Sequence, residues 1–400
     1  MKATPVQLAE VCEFVRGITF PSGEGKPQPF EDSVACLTTS GVQEDVAWKS
    51  RRFVRRSRVA SAKQMLQAGD ILISTANSKE LVGKSCLVHE APFPCTFGAF
   101  VTVARPLEGV YPPYLAYWMT TREFLAWCFK SSSNTTNISN LRVSELEALR
   151  IDLPDPDEQR RIAARLEQAD RLRRTRRCAL ELTDSFVPSA FRALFGTEGD
   201  RFPSETVEEL ALDSPHAIRT GPFGSQLLHS EFTDSGVAVL GIDNAVNNRF
   251  AWSERRFITR EKYQQLKRYT VFPGDVIITI MGTCGRCAIV PEDIPTSINT
   301  KHLCCITLDQ DRCLPIYLHG AFLHHAFVRH QLNVATKGAI MDGLNMGIIK
   351  SLRIPLPPRP LQQKFAEVVG RVERLRAIHL EALRQADHLF ASLLQGAFSG

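Results

Sequence analysis

No run of eighteen apolar residues occurs in this 400-residue chain, and its first segment does not combine basic, apolar and cleavage-site regions. A membrane span and secretion are therefore disfavoured, and a cytoplasmic location is expected. Neither sign of charge prevails: 48 basic residues stand against 43 acidic ones, a net charge of +5. A surface for a polyanion would have to arise from local clustering and not from a generally basic chain. Cysteine is sparse, odd in number at eleven, and irregularly spaced, which fits reduced thiols better than a secreted disulfide framework. The lone C-x-x-C, Cys284 with Cys287, is followed by His302, Cys304, Cys305 and Cys313 at no recognised finger spacing. These cysteines are expected to be small apolar fillers beside a strand, not zinc ligands.

Catalytic motifs are missing as well. H-E-x-x-H, G-x-S-x-G and G-x-G-x-x-G are all absent. Gly83-Lys84-Ser85 looks like the end of a phosphate-binding loop, but Ser78 stands where the loop needs its first glycine. Tyr111-Pro112-Pro113-Tyr114 resembles the [Asn/Asp]-Pro-Pro-[Tyr/Phe] loop of amino-methyltransferases, yet Tyr111 lacks the carbonyl acceptor that loop requires. A proline-started helix explains it better. Asp155 and Asp157 sit in a proline-rich linker ahead of a helix, where its N-terminus attracts acids in any case.

What the chain does have is an internal repeat at an offset of roughly 203 residues. The stretch from Trp48 to Val54, with Arg51-Arg52-Phe53, returns from Trp252 to Ile258 with Arg255-Arg256-Phe257. Gly69-Asp70-Ile71-Leu72-Ile73 returns as Gly274-Asp275-Val276-Ile277-Ile278, and Leu149-Arg150-Ile151-Asp152-Leu153-Pro154 as Leu352-Arg353-Ile354-Pro355-Leu356-Pro357. So long a period excludes a solenoid, so each copy is a domain with its own helical appendage. The first part of each copy reads as strands, at 34–37, 71–74 and 100–103 and their counterparts. A helix then opens at Pro112 and again at Pro315.

After Pro156 and Pro360 glycine and proline become rare and apolar residues recur at three- and four-residue steps, predicting two long helices. The first stripe runs through Ile162, Leu166, Ala169, Leu172, Ala179, Phe186 and Ala190. The second runs through Phe365, Val368, Val372, Leu375, His379, Leu383, Ala386, Phe390 and Leu393, close to a heptad seam. A helix over 159–196 would span roughly 55 Å, and its stripe is expected to pack on the other copy's helix as an antiparallel two-helix arm. The arginines between 160 and 177 are expected on a solvated or partner-binding face, although a helix lying along DNA could use them.

Basic residues cluster at matching places. Arg51, Arg52, Arg55, Arg56 and Arg58 crowd one copy, and Arg255, Arg256, Arg260, Lys262, Lys267 and Arg268 the other, a repeated placement that suits phosphate binding. The polar loops beside the strands differ between copies: Thr38-Thr39-Ser40 against Ile242-Asp243-Asn244, and Ser74-Thr75-Ala76-Asn77 against Thr279-Ile280-Met281-Gly282. Framework kept with loop chemistry changed is what two modules reading two short base sequences would show.

Together these features resemble the specificity (S) subunit of type I restriction-modification systems, over essentially the whole chain. Ile218-Arg219-Thr220-Gly221-Pro222-Phe223-Gly224-Ser225 looks like the opening segment of that family's target-recognition domains, and the glycine-aspartate strand at Gly274-Asp275 like its next landmark. Leu153-Pro154 before Glu158-Gln159, and Leu356-Pro357 before Gln362-Gln363, look like the start of its spacer helices. The first copy departs from the pattern at Arg16-Gly17-Ile18-Thr19-Phe20, where the G-P-F-G-S loop is missing.

The resemblance implies an α+β fold of two tandem recognition domains, 1–155 and 198–358, each followed by a spacer helix, 156–197 and 359–400. It implies a non-catalytic subunit whose domains each read half of a bipartite double-stranded DNA target while the helices set the spacing. The helices would dock methyltransferase subunits, two of them, with restriction subunits joining the complex. This chain would bind no cofactor; S-adenosylmethionine, ATP and magnesium would sit on those partners. The expected DNA-facing residues are Arg16, Thr38, Thr39, Ser40, Arg51, Arg52, Arg55, Arg56, Thr75, Asn77 and Lys79 in the first copy. In the second they are Arg219, Thr220, Gly221, Ser225, Asn244, Arg255, Arg256 and Lys301. Ile162, Leu166, Leu172, Phe365, Val372 and Leu383 are the expected partner-binding positions on the helices. Two rivals predict otherwise: a DNA methyltransferase with unrecognised motifs would itself bind S-adenosylmethionine, and a duplicated protein-binding scaffold would show no salt-dependent DNA affinity.

Overall fold

A computed structural model of the chain describes residues 4–135, 138–196, 201–252, 255–337 and 344–398. Ser253 and Glu254 of the repeated block, and the boundary expected between 197 and 198, lie outside them. The chain divides into two units, one of residues 1–177 with 381–400 and one of residues 178–380.

In the first unit the apolar runs form two small sheets. One orders Cys12–Arg16, Val101–Pro106, Ile71–Ser74 and Ser85–Leu87, all antiparallel. The other orders Arg52–Arg55, Ser33–Leu37 and Cys95–Phe97, the last pair parallel. The strand Ile71–Ser74 is buried along its whole length, as a continuous apolar run predicts for a strand covered on both faces. The second unit repeats the plan. Ile218–Thr220, Leu303–Ile306, Val276–Thr279 and Cys287–Ile289 form one sheet. Phe257–Ile258, Val237–Leu240, Ser297–Asn299 and Thr270–Val271 form the other, again with one parallel pair, Val237–Leu240 on Ser297–Asn299. Phe100, read as strand from its sequence, instead sits in the turn before Val101–Pro106.

The repeated glycine-aspartate pair has a backbone reason. Gly69 and Gly274 adopt φ of 91° and 78°, the left-handed region that glycine alone enters without strain. The following aspartates are buried, and each accepts the N–H three residues earlier, Gln67 to Asp70 at 2.9 Å and Phe272 to Asp275 at 2.8 Å. Each also holds an arginine, and the two arginines come from different strands. Arg105 donates from Val101–Pro106 to Asp70 at 2.7 and 2.8 Å. In the second unit Arg219 donates from Ile218–Thr220 to Asp275, while Thr307, one residue past Leu303–Ile306, donates its hydroxyl to the same carboxylate at 2.5 Å.

Proline starts the late helices as expected, Pro112–Trp118 and Pro315–His324. Tyr114 and Tyr317 in their first turns are buried, with hydroxyls donating to the carbonyls of Asp152 and Pro355. The methyltransferase-like loop is therefore core. Two long helices follow, a central one at Pro156–Phe195 and a C-terminal one at Arg359–Phe398. Both begin with a buried glutamine that closes the junction to its domain. Gln159 accepts from Tyr111 N–H at 2.8 Å and donates to the carbonyls of Gly109 and Pro154. Gln362 accepts from Leu314 N–H at 2.8 Å and donates to those of Arg312 and Pro357.

Within the first unit the start of the central helix packs on the end of the C-terminal helix through Leu166, Ala169 and Phe390. Within the second unit the end of the central helix packs on the start of the C-terminal one through Phe191, Phe195 and Phe365. Opposite ends pair, so the helices run antiparallel. Leu166, Phe365 and Val372 are consequently buried in the chain's own core, and Ile162 and Leu383 are half-buried. Of the six positions expected to meet a partner, only Leu172 is exposed. The stripes are apolar apart from His379, but only their ends find cover within the units. Among the described residues no helix is long and apolar enough to cross a membrane, and no group of His, Cys, Asp and Glu is placed to hold a metal ion.

Candidate nucleic-acid interface

Four segments leave the strands at one end of the first unit and meet there. Gly98 N–H donates to Leu37 at 2.8 Å, Ile18 N–H to Phe97 at 2.8 Å, and Thr75 N–H to Phe100 at 3.0 Å. Residues 16–17, 38–40, 75–77 and 98–100 are thereby set side by side. In the second unit Thr300 N–H donates to Leu240 at 2.9 Å, Gly221 N–H to Thr300 at 3.3 Å, and Ile280 N–H to His302 at 2.9 Å. The equivalent segments 220–221, 242–244, 280–282 and 300–302 meet in the same way. Loops at strand ends on a fixed framework are where binding chemistry varies at least cost to the fold.

Gly17 and Gly221 occupy the same place in the two units. A Cβ at Gly17 would lie 2.2 Å from the carbonyl oxygen of Gly98, and one at Gly221 would lie 2.0 Å from that of Asn299. The first copy therefore keeps the close approach even though its sequence lacks G-P-F-G-S. The departure lies in the side chains beyond it.

The expected DNA-facing residues separate into two groups. Arg219 is 4% exposed, held by Asp275, the Thr307 hydroxyl and the carbonyls of Thr270, His216 and Ala217. It is a structural arginine and is withdrawn from the interface, because a buried guanidinium whose three nitrogens all bond inside the fold is not presented to a phosphate. Asn244 is buried too, its amide bridging Gly241 N–H and the Ala251 carbonyl. Thr75 is buried against Thr102 at 3.0 Å, and Gly221 offers only buried backbone. These are corrections: all four shape the loops from beneath. Arg51 is engaged by the Trp48 carbonyl and lies over the rings of Phe53 and Phe93. Asn77 is bonded locally to Ser74 and Ser78.

The others reach the surface. Arg16, Ser40, Arg52, Arg55, Arg56 and Lys79 are exposed in the first unit, with Thr38 and Thr39 half-exposed. Arg52 lies beside Gly25 and Phe20, and Phe20 in turn lies beside Gly98, so the arginine strand borders the loop cluster. Arg58 is taken by Glu24 at 2.7 Å. In the second unit Ser225 and Arg255 are exposed, Arg255 over the Trp252 ring. Arg256 reaches Asp243 at 3.6 Å. Thr220 and Lys301 line a cavity of about 350 Å³ with Phe223, Met281 and Asn345. Next to Lys301, burial first and then the cations of Lys301 and Arg256 hold the His302 imidazole below its usual pKa.

Phe100 and Phe223, 55% and 53% exposed at these strand ends, and Met281, which lines the cavity with Phe223, were not among the expected DNA-facing residues. In a hydrophobic pattern they count as core. Only their position at a strand end, within two residues of a glycine, could have marked them.

The comparisons with known proteins agree on one family. The model of the type I restriction modification DNA specificity domain matches residues 2–182 and 224–386. The type I restriction enzyme EcoKI specificity subunit of Escherichia coli (strain K12) is 24% identical over 423 residues, which cover 98% of this chain and 88% of the relative. The StySPI specificity subunit of Salmonella potsdam is 25% identical over 437 residues, with the same coverage. Among solved structures, the type I restriction-modification S subunit from M. genitalium matches with a TM-score of 0.61 at 13% identity, covering 100% of this chain and 96% of its own. A chain from a study of complex assembly and conformational transition of the type I R-M system matches with a TM-score of 0.59 at 16% identity, covering 99% and 97%. At these identities the structural likeness speaks to the fold.

Proposed function

The chain belongs to the type I restriction modification DNA specificity family, and on that premise we propose that each of its two units reads one half of a bipartite DNA target through its strand-end loops. It is a non-catalytic specificity subunit that recognises DNA and works with methyltransferase and restriction subunits. In this reading 1–155 and 198–358 are the recognition domains, and 156–197 and 359–400 are the spacer helices.

The observation that carries the proposal is the pair of equivalent loop clusters, alike in backbone and different in side chains. Ser40, Arg16 and Phe100 stand in one where Asp243, Thr220 and His302 stand in the other. Exposed Arg52, Arg55 and Arg56 would hold phosphates, fixing register, while the loops address base edges. Lys301, Arg255 and Arg256 would serve the second unit. The exposed apolar side chains of Leu182, Phe186, Leu375 and Ile378 suit docking of methyltransferase subunits, since apolar surface left on a helix needs cover. S-adenosylmethionine, ATP and magnesium belong on those partners, and the complex works in the cytoplasm.

The test is a salt titration of DNA binding by the complex. With Arg52, Arg55 and Arg56 changed to Ala, affinity falls for all sequences alike, and the slope of log K against log salt falls by roughly 2 to 3. An unchanged slope removes this strand from the phosphate surface.

A further inference from the structure

In each unit the loop that follows the reading turn is tied to a long helix by ion pairs, and the two ties carry opposite charge order. In the first unit the turn Thr39–Gly41 runs into a small hairpin closed by the Val42–Val46 bridge, with Glu44 and Asp45 at its tip. Glu44 accepts from Arg177 at 2.5 Å, and Asp45 pairs with Arg174, both on the central helix. Arg174 is itself steadied by Asp170 at 2.6 Å. In the second unit the turn Ile242–Asn244 leads to Arg249, which reaches Asp184 of the central helix at 3.2 Å and Glu373 of the C-terminal helix at 3.1 Å. Arg376 holds Asp184 from the other side at 2.7 Å. Asp45 stands three residues before Trp48, and Arg249 three before Trp252, so the two ties use one repeat position. An acid on the loop and a base on the helix in one copy have become a base on the loop and acids on the helices in the other.

Pairs as exposed as these add little stability, because water screens them. Yet both copies tie the same loop position, Asp45 and Arg249, to a long helix, with the loop charge inverted, which calls for another role. We propose that Glu44, Asp45 and Arg249 are positioning residues for DNA reading: each ties its reading turn to the helix, so that the turn's orientation follows the helix on which partner subunits dock. This rests on the reading of the strand-end loops as the base-contacting surface.

The experiment uses the full chain assembled with its methyltransferase subunits. It measures methylation of the cognate duplex and of duplexes carrying one wrong base in either half-site. Glu44→Arg is expected to relax discrimination in one half-site only, by roughly threefold to tenfold, the size an exposed charge reversal can reach. Adding Arg177→Glu restores it, which a merely structural disturbance would not do. Arg249→Glu relaxes the other half-site alone. Discrimination unchanged in all variants, or no recovery in the Glu44→Arg/Arg177→Glu chain, overturns the positioning role. Absence of any base preference in the unaltered complex overturns the recognition reading itself and the inference with it.

Discussion

At the scale of single residues, Asp275 and Arg219 show how a charge is kept out of water. The pair is almost fully buried, and the remaining donors and lone pairs are met by Thr307, Phe272 N–H and three carbonyls. Removing one member leaves the other charged and unpaired inside the fold, at a cost of about 3–5 kcal/mol. Arg219→Ala is therefore expected to lower the urea midpoint of the chain strongly, while Arg52→Ala, at the surface, shifts it by less than about 0.5 kcal/mol. Equal effects would mean that Arg219 is not the structural arginine described. The sequence offers both arginines alike as DNA-facing residues, Arg52 from a basic cluster and Arg219 from the opening motif of the second copy. What separates them is the pairing of Ile218–Thr220 with Leu303–Ile306, a contact across more than eighty positions that no local pattern encodes. For the same reason Arg105, which does the work of Arg219 in the first unit, escaped notice.

At the scale of elements, the helix Pro315–His324 carries His319 and His324, and His325 follows it at its cap. Burial holds all three imidazoles below their usual pKa, and His324 is lowered to about 4, by burial first and then by His319, Arg329 and Arg192. His325 is fully buried, with no hydrogen-bond partner for either ring nitrogen among the described residues, and lies edge-on to Phe191 of the central helix. The sign follows from linkage: these groups are neutral in the fold and take up protons when it opens. Stability is then fully present above about pH 6.5 and declines as the pH falls toward 4. Thermal midpoints measured from pH 7.5 to 5 should drop, and His324→Phe with His325→Phe should flatten that drop; a parallel drop in the variant would place the titrating groups elsewhere. The helices themselves were legible, since proline at the first turn and apolar residues at three- and four-residue steps act locally. Which apolar positions they bury was not: Leu172 and Leu166 look alike in the stripe, and only packing against Phe390 distinguishes the buried one. The glutamines at 159 and 362 read only as part of a motif, whereas their buried amides are what fasten domain to helix.

At the scale of the whole molecule, duplication explains why the sequence disclosed so much. Two copies of one domain, read against each other, separate framework from variable loops without any other sequence. The comparison also locates the strand-end loops, although it cannot tell which loop residues face outward; Thr75 and Asn244 sat in the right segments and proved to be inside. In the proposed function each copy reads one half of a bipartite target, and helix length sets the separation of the halves. The central claim is that this chain chooses the DNA sequence at which its partners act. The most direct measurement is a map of methylated bases across the genome of the source organism, with the gene intact and with it deleted. Loss of one bipartite motif, its two halves at a constant spacing and all other methylation unchanged, is the predicted result. A methylome identical in the two strains, when the intact strain expresses the chain and its methyltransferase partners, would contradict it.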